Sequence, residues 1–153
     1  MSTPARPFSN PDQALIHRFL AGGGAALPME SNPLARALHC ELLRVDAERG
    51  SVEVGFEPDP LFIQGTDVLQ GGAVSSMLDF AMAFAVLARL PVGASCATVN
   101  MSTSFLRPAT RGRYRAIGEV ERCGKTLAFA KARLMREQDD TVAATASSTL
   151  ALM

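Results

Sequence analysis

The sequence predicts an α+β domain in which one hydrophobic helix lies against an antiparallel sheet. Three observations carry that class. A helix-length apolar segment runs from Gly71 to Leu90 and stops at Pro91. Four segments after it, near 95–107, 112–123, 126–137 and 141–152, alternate with period two. Before it, two short alternating segments are joined by a tight turn. At 153 residues, 48% hydrophobic and 20% charged, the chain has the size and composition of one compact domain rather than a disordered polymer.

In chain order, proline and glycine interrupt the first 33 residues twice, at Ser2 to Pro11 and at Ala21 to Pro28. Between the interruptions, Pro11 to Leu20 predicts a short helix capped by Asn10, with Leu15, Ile16, Phe19 and Leu20 as its apolar face. Asn32-Pro33 repeats the cap-then-proline signal and predicts a further turn or two, to about Leu38. Residues 1–33 are thus expected to form an N-terminal extension, and residues 34–153 the main domain. Strands are expected at Cys40–Ala47 and Ser51–Glu57, paired through Glu48-Arg49-Gly50, with Pro58 and Pro60 ending the hairpin.

Gly71 to Leu90 is apolar on nearly every side, including the unbroken run Phe80 to Ala88, so the spacing predicts a helix buried almost all round. Ser75, Ser76, Asp79 and Arg89 leave no uncharged stretch of about 18 residues, against a membrane span. Short links between the last four segments predict a simple meander. Ala128, Ala130, Ala132, Ala143 and Ala146 supply the small side chains that let a helix sit close to a curled sheet.

Fifteen basic residues balance fifteen acidic ones, so no overall positive field favours a nucleic-acid backbone. The charge is uneven: residues 1–100 carry 6 basic and 10 acidic groups, residues 101–153 carry 9 and 5, and the last third could face a small anion. Cys40, Cys96 and Cys123 are odd in number and lack metal-ligand spacing, which fits neither a disulfide framework nor a zinc site and suits a reducing cytoplasm.

Asp79 is the residue that needs explaining, since it stands in the apolar helix with no Lys, Arg or His within four positions. It either bonds a backbone amide or faces a wet interface, or it serves as general base or nucleophile. Gly71-Gly72 at the helix start lets another group approach free amides reinforced by the helix dipole, an oxyanion site. The two features lie eight residues apart, about 12 Å along a helix, too far for both to touch one carbonyl carbon. If they cooperate, the amide comes from one chain and the carboxylate from another, across a two-fold axis. His17 and His39 sit at no dyad spacing, and Ser75 and Ser76 lack a G-x-S-x-G elbow.

The stretch Phe62-Ile63-Gln64 through Leu69-Gln70-Gly71-Gly72, then Met77-Leu78-Asp79 and Ser104-Phe105-Leu106-Arg107-Pro108, resembles the PaaI-type hotdog-fold acyl-CoA thioesterases over roughly residues 38–152. The resemblance implies a central helix wrapped by an antiparallel sheet, a homodimer or dimer of dimers with its site at the interface, and no cofactor or metal. It implies Asp79 as the catalytic acid, the Gly71 N–H as oxyanion donor, and Gln64 beside the water or thioester. Gln70 stands where the family commonly has His in His-Gly-Gly. Gly72, and Arg107, Arg122 and Lys125 as contacts for coenzyme A phosphates, complete the expected set. A catalytically silent acyl-CoA-binding module is the alternative, favoured by Gln70 in place of His. A dehydratase ranks behind both for want of a placed histidine.

Overall fold

The computed structural model describes residues 10–153. The reading of residues 2–9 as part of a polar interruption lies outside them. The architecture is a seven-stranded antiparallel sheet wrapped around one long helix, as the fold class predicted.

Helix α1 (Pro11–Ala21) begins at Asn10, whose Oδ1 accepts from the amides of Asp12 and Gln13. Leu15, Ile16 and Phe19 sink into the same core as the rest of the domain. Gln13, almost fully buried, clamps the helix down: its Nε2 donates to the carbonyls of Pro91 (2.8 Å) and Leu90 (3.4 Å), and its Oε1 accepts from the Gly93 amide (2.9 Å). The Ala21 to Pro28 interruption also holds a strand absent from the sequence reading, β1 (Leu27–Pro28), which pairs with β2. Helix α2 (Pro33–Ala37) is capped by Asn32. Strands β2 (Glu41–Asp46) and β3 (Ser51–Phe56) form the expected hairpin, turning at Gly50 with φ 64°.

Helix α3 (Gly71–Leu87) fills the concave side of the sheet. Its close approach depends on glycine as well as alanine. A Cβ built on Gly118 would stand 2.1 Å from the Ala81 carbonyl oxygen, so only glycine admits the helix backbone there. Ala128, Ala130, Ala132 and Ala146 line the same face and are buried, and Ala143 is buried at the β6–β7 register shift.

Two expectations are corrected. The helix is not buried almost all round: Gly72, Ser75, Ser76, Asp79, Phe80 and Ala83 recur at helical spacing as a stripe that the protomer leaves partly open. The last four strands, β4 (Cys96–Phe105), β5 (Tyr114–Cys123), β6 (Leu127–Arg136) and β7 (Val142–Leu152), do not run as one meander. The order is β1-β2-β3-β5-β6-β7-β4, so β4 pairs with β7 and only β5 to β7 are sequential. Strand β5 already has β3 on one side and β6 on the other, leaving no edge for β4. The link after β4 instead crosses the start of α3, tied by a Leu69 N–H to Ala109 carbonyl bond of 2.7 Å and a Val68–Thr110 bridge.

The two sheet edges differ sharply. One ends in the two-residue β1 with Pro28, a blunted edge. The other is the ten-residue β4, with Val99 62% and Phe105 56% exposed.

Candidate active site

Strand β4 runs antiparallel to α3 along the open stripe, and side chains join the two at intervals. The Phe105 ring lies over Gly71, where an added Cβ would come 3.2 Å from Cζ. Ser75 Oγ bonds Thr103 Oγ1 at 3.3 Å. Thr98 Oγ1 donates to Asp79 Oδ1 at 2.7 Å. Cys96 Sγ lies 3.8 Å from the Ala83 carbonyl.

Two separate clefts open along this seam. The first, about 480 Å³, gathers Gln64, Gly71 and Arg107 with Val74 and Phe105 at the start of the helix. Gln70 is the N-cap of α3, but its side chain makes no capping bond. Among the described residues no acceptor is bonded to the Gly71 or Gly72 amide, and the first turn therefore presents free donors beside the cleft. Arg107 is exposed and donates to the Val142 carbonyl at 3.1 Å. Gly72 is exposed, with its carbonyl taken by the Ser76 hydroxyl at 2.8 Å.

The second cleft, about 530 Å³, holds Asp79 with Phe80, Phe84 and Cys96, and is walled on one side by residues from the N-terminal segment. Asp79 is half-buried and is held by Thr98 rather than by a backbone amide. Burial, followed by the nearby Asp79 charge, pushes the Cys96 thiol up to about 11.

Of the expected site residues, the protomer brings Gln64, Gly71 and Arg107 together and puts Asp79 elsewhere. The Gln70 side chain is exposed and lines neither cleft. Arg122 lies on the outer face of β5 opposite Phe129, and Lys125 lies in the β5–β6 turn; both belong to the end of the sheet where β4 begins, away from Arg107. Thr98, the side chain that holds Asp79, was not singled out from the sequence, because alternation marks a strand without saying which helix residue it meets. The same holds for His39, whose Nε2 lies 3.0 Å from Asp59 Oδ1 on the surface.

Residues 67–143 match the thioesterase superfamily. The chain belongs to this family. A phenylacetic acid degradation-related protein from Ralstonia eutropha JMP134 is 34% identical, covering 88% of this chain and 97% of its own, with a TM-score of 0.75. A thioesterase family protein from Silicibacter pomeroyi is 26% identical over 92% of this chain and 96% of its own, with a TM-score of 0.76. The Escherichia coli PaaI protein from the phenylacetic acid degradation operon shares the fold, with a TM-score of 0.75 at 20% identity over 93% of each chain. No curated protein matches. The PaaI-type hotdog resemblance read from the 62–108 block therefore stands. Among the described residues, no helix is long and apolar enough to cross a membrane.

Proposed function

We propose that the protein hydrolyses the thioester of an acyl- or aryl-acyl-CoA, with each site assembled from two protomers. The observation that carries this reading is the division of the chemistry between two clefts of one chain. The first has free helix-start amides and a cation but no acid; the second has the Asp79 and Asp12 carboxylates, and the helix-start amides beside it are already bonded to Asn10 and Asn32. A two-fold axis beside the middle of β4 pairs that strand with its copy and brings the Gly71 end of one α3 to the Asp79 of the other. The exposed apolar edge of β4 supports such pairing, while Pro28 blunts the opposite border.

In the composite site the thioester carbonyl oxygen points at the Gly71 amide, which stabilises the negative charge that develops on it. Asp79 takes a proton from the water that attacks the carbonyl carbon, or attacks that carbon itself to give a mixed anhydride that water then opens; in both routes the C–S bond breaks, and coenzyme A leaves as the thiol, the proton coming ultimately from the water. Thr98 fixes the carboxylate. Gln64 orients the water or carbonyl, and Gln70 supports the loop from outside. Gly72 and Arg107 of the amide-bearing protomer, with Arg122 and Lys125 of its mate, meet the coenzyme A moiety. The assembly is a homodimer or a dimer of dimers. Three free thiols, Cys40, Cys96 and Cys123, suit a cytoplasmic setting. The alternative is a catalytically silent acyl-CoA-binding module, read from Gln70 in place of the family's His.

The test is free-thiol release from a panel of acyl-CoAs by native protein, Asp79→Asn and Gly71→Pro, alone and after mixing. Each variant alone is expected to be nearly inactive. Random reassortment gives half mixed pairs, each with one intact site, and so about a quarter of the native rate. No recovery on mixing, with reassortment verified, overturns the composite site. Full turnover by Asp79→Asn removes that carboxylate from the chemistry.

A further inference from the structure

The N-terminal segment walls one side of the Asp79 cleft. From Asp79 its floor follows α3 away from the helix start, past Phe80 and Phe84 to Leu87, about 12 Å of helix. That floor is apolar, and the two phenyl rings lie 6.5 Å apart at a tilt of 51°. Its far wall comes from the starts of α1 and α2: Pro11 beside the cap Asn10, and Leu34 beside the cap Asn32. Both cap oxygens are already bonded to amides of their own helices, and the Asp12 carboxylate, which accepts from the Ser31 hydroxyl at 3.3 Å, lines the wall beside Leu34 and Pro11.

Two further facts make this wall a fixed stop. Gln13 and the buried Leu15, Ile16 and Phe19 fasten α1 to the core. Leu34 remains 40% exposed at the cleft while its neighbour Ala35 is fully buried, so α2 is anchored through one side chain and offers the other as uncovered apolar surface. At about 530 Å³ the cleft is of the size that takes a small organic group.

We infer that this cleft receives the apolar acyl group of the substrate and that Leu34, carried by the N-terminal segment, sets the largest acyl group that fits. The inference rests on the thioesterase reading: the acyl group is the apolar part of that substrate, and the floor from Phe80 to Leu87 is the apolar surface beside Asp79. Leu34 lies on a surface helix turn, so exchanging it alters the cleft with little consequence for the core.

The experiment measures kcat/KM on acetyl-, hexanoyl-, phenylacetyl-, dodecanoyl- and palmitoyl-CoA for native protein, Leu34→Ala and Leu34→Trp. In parallel, calorimetry follows binding of the matching S-alkyl-CoA thioethers, which lack the scissile carbonyl. Leu34→Ala is expected to raise the ratio of long to short acyl groups about tenfold, and Leu34→Trp to lower it by at least as much. The thioether affinities are expected to shift in the same directions. Native turnover with both variants within twofold of the native ratios overturns the acyl-stop assignment and leaves the hydrolase reading standing. No turnover by native protein, with thioether affinities that still shift with Leu34, overturns the hydrolase reading and upholds the pocket. Absence of both turnover and thioether binding overturns the two together.

Discussion

The clefts at the two ends of the α3 seam are made of opposite materials. Around Gly71 the groups are backbone amides, a glutamine and an arginine on exposed loops, with Phe105 laid over the helix start. Around Asp79 they are side chains on regular elements: a carboxylate on a helix, a hydroxyl on a strand, and an apolar floor backed by the core. The first offers free amides and a cation without any titrating acid; the second holds the Asp79 carboxylate, and the helix-start amides beside it are already bonded to Asn10 and Asn32. On the proposed reading half of an acyl-transfer site lies at the start of α3 and half at its middle, and the distance between the halves is set by helical rise rather than by any adjustable loop.

The heaviest blow to this division falls on the amide side. Gly71→Pro deletes one N–H and little else: proline is favoured at the first helical position, and Gln70 already has φ −56° and ψ 140°, as a residue before proline requires. The new ring meets Phe105, which is exposed and can turn aside. Turnover is expected to fall about 10²–10³-fold with an unchanged circular-dichroism spectrum and melting temperature. Native kcat in the folded variant would exclude this amide as the oxyanion donor.

The acid side is probed next through Cys96. Its thiol is raised from 9.0 to about 11, so at pH 8 its thiolate fraction is about 100-fold below that of an ordinary thiol. Alkylation assigned by mass spectrometry should be slower by that factor and rise tenfold per pH unit to about pH 10. Because the folded value exceeds the unfolded one, the thiol's contribution to stability is complete below about pH 9 and declines as pH climbs toward 11. Rapid labelling at pH 8 would show that the cleft floor is wetter than drawn.

The smallest expected change concerns Thr98. Thr98→Val keeps the shape and removes the hydroxyl that holds Asp79 Oδ1. A drop of about tenfold in kcat with KM nearly constant is expected, in the range of one hydrogen bond to a charged group. A KM effect with kcat preserved would assign the threonine to substrate binding instead.

Local patterns carried most of the fold into the sequence. Asn10 and Asn32 cap their helices as their cap-then-proline contexts foretold, and each strand after Pro91 falls inside its alternating segment. What period-two alternation does not encode is partnership. The short Pro108 link pointed to a β4–β5 hairpin, yet β5 has both edges occupied and β4 closes the sheet beside β7. Gly118 is a similar case: one glycine in a strand reads as a weakness, and only the Ala81 carbonyl pressed against it shows why no side chain is tolerated. For the site, the acid in the greasy helix and the glycine pair were visible, and the helical spacing kept them apart. Thr98 and Leu34 were not, since each is defined by what it faces across the fold.

Pro28 has a bearing on growth as well as on shape. A β-ribbon with two receptive borders can add neighbours without limit, which is how fibrils elongate. Here the outermost strand on one side is two residues long and ends in an imino acid, so that border offers an incoming backbone almost nothing to zip onto. On the proposed pairing recruitment is confined to the β4 border, and a ribbon with a single willing flank is complete after one addition.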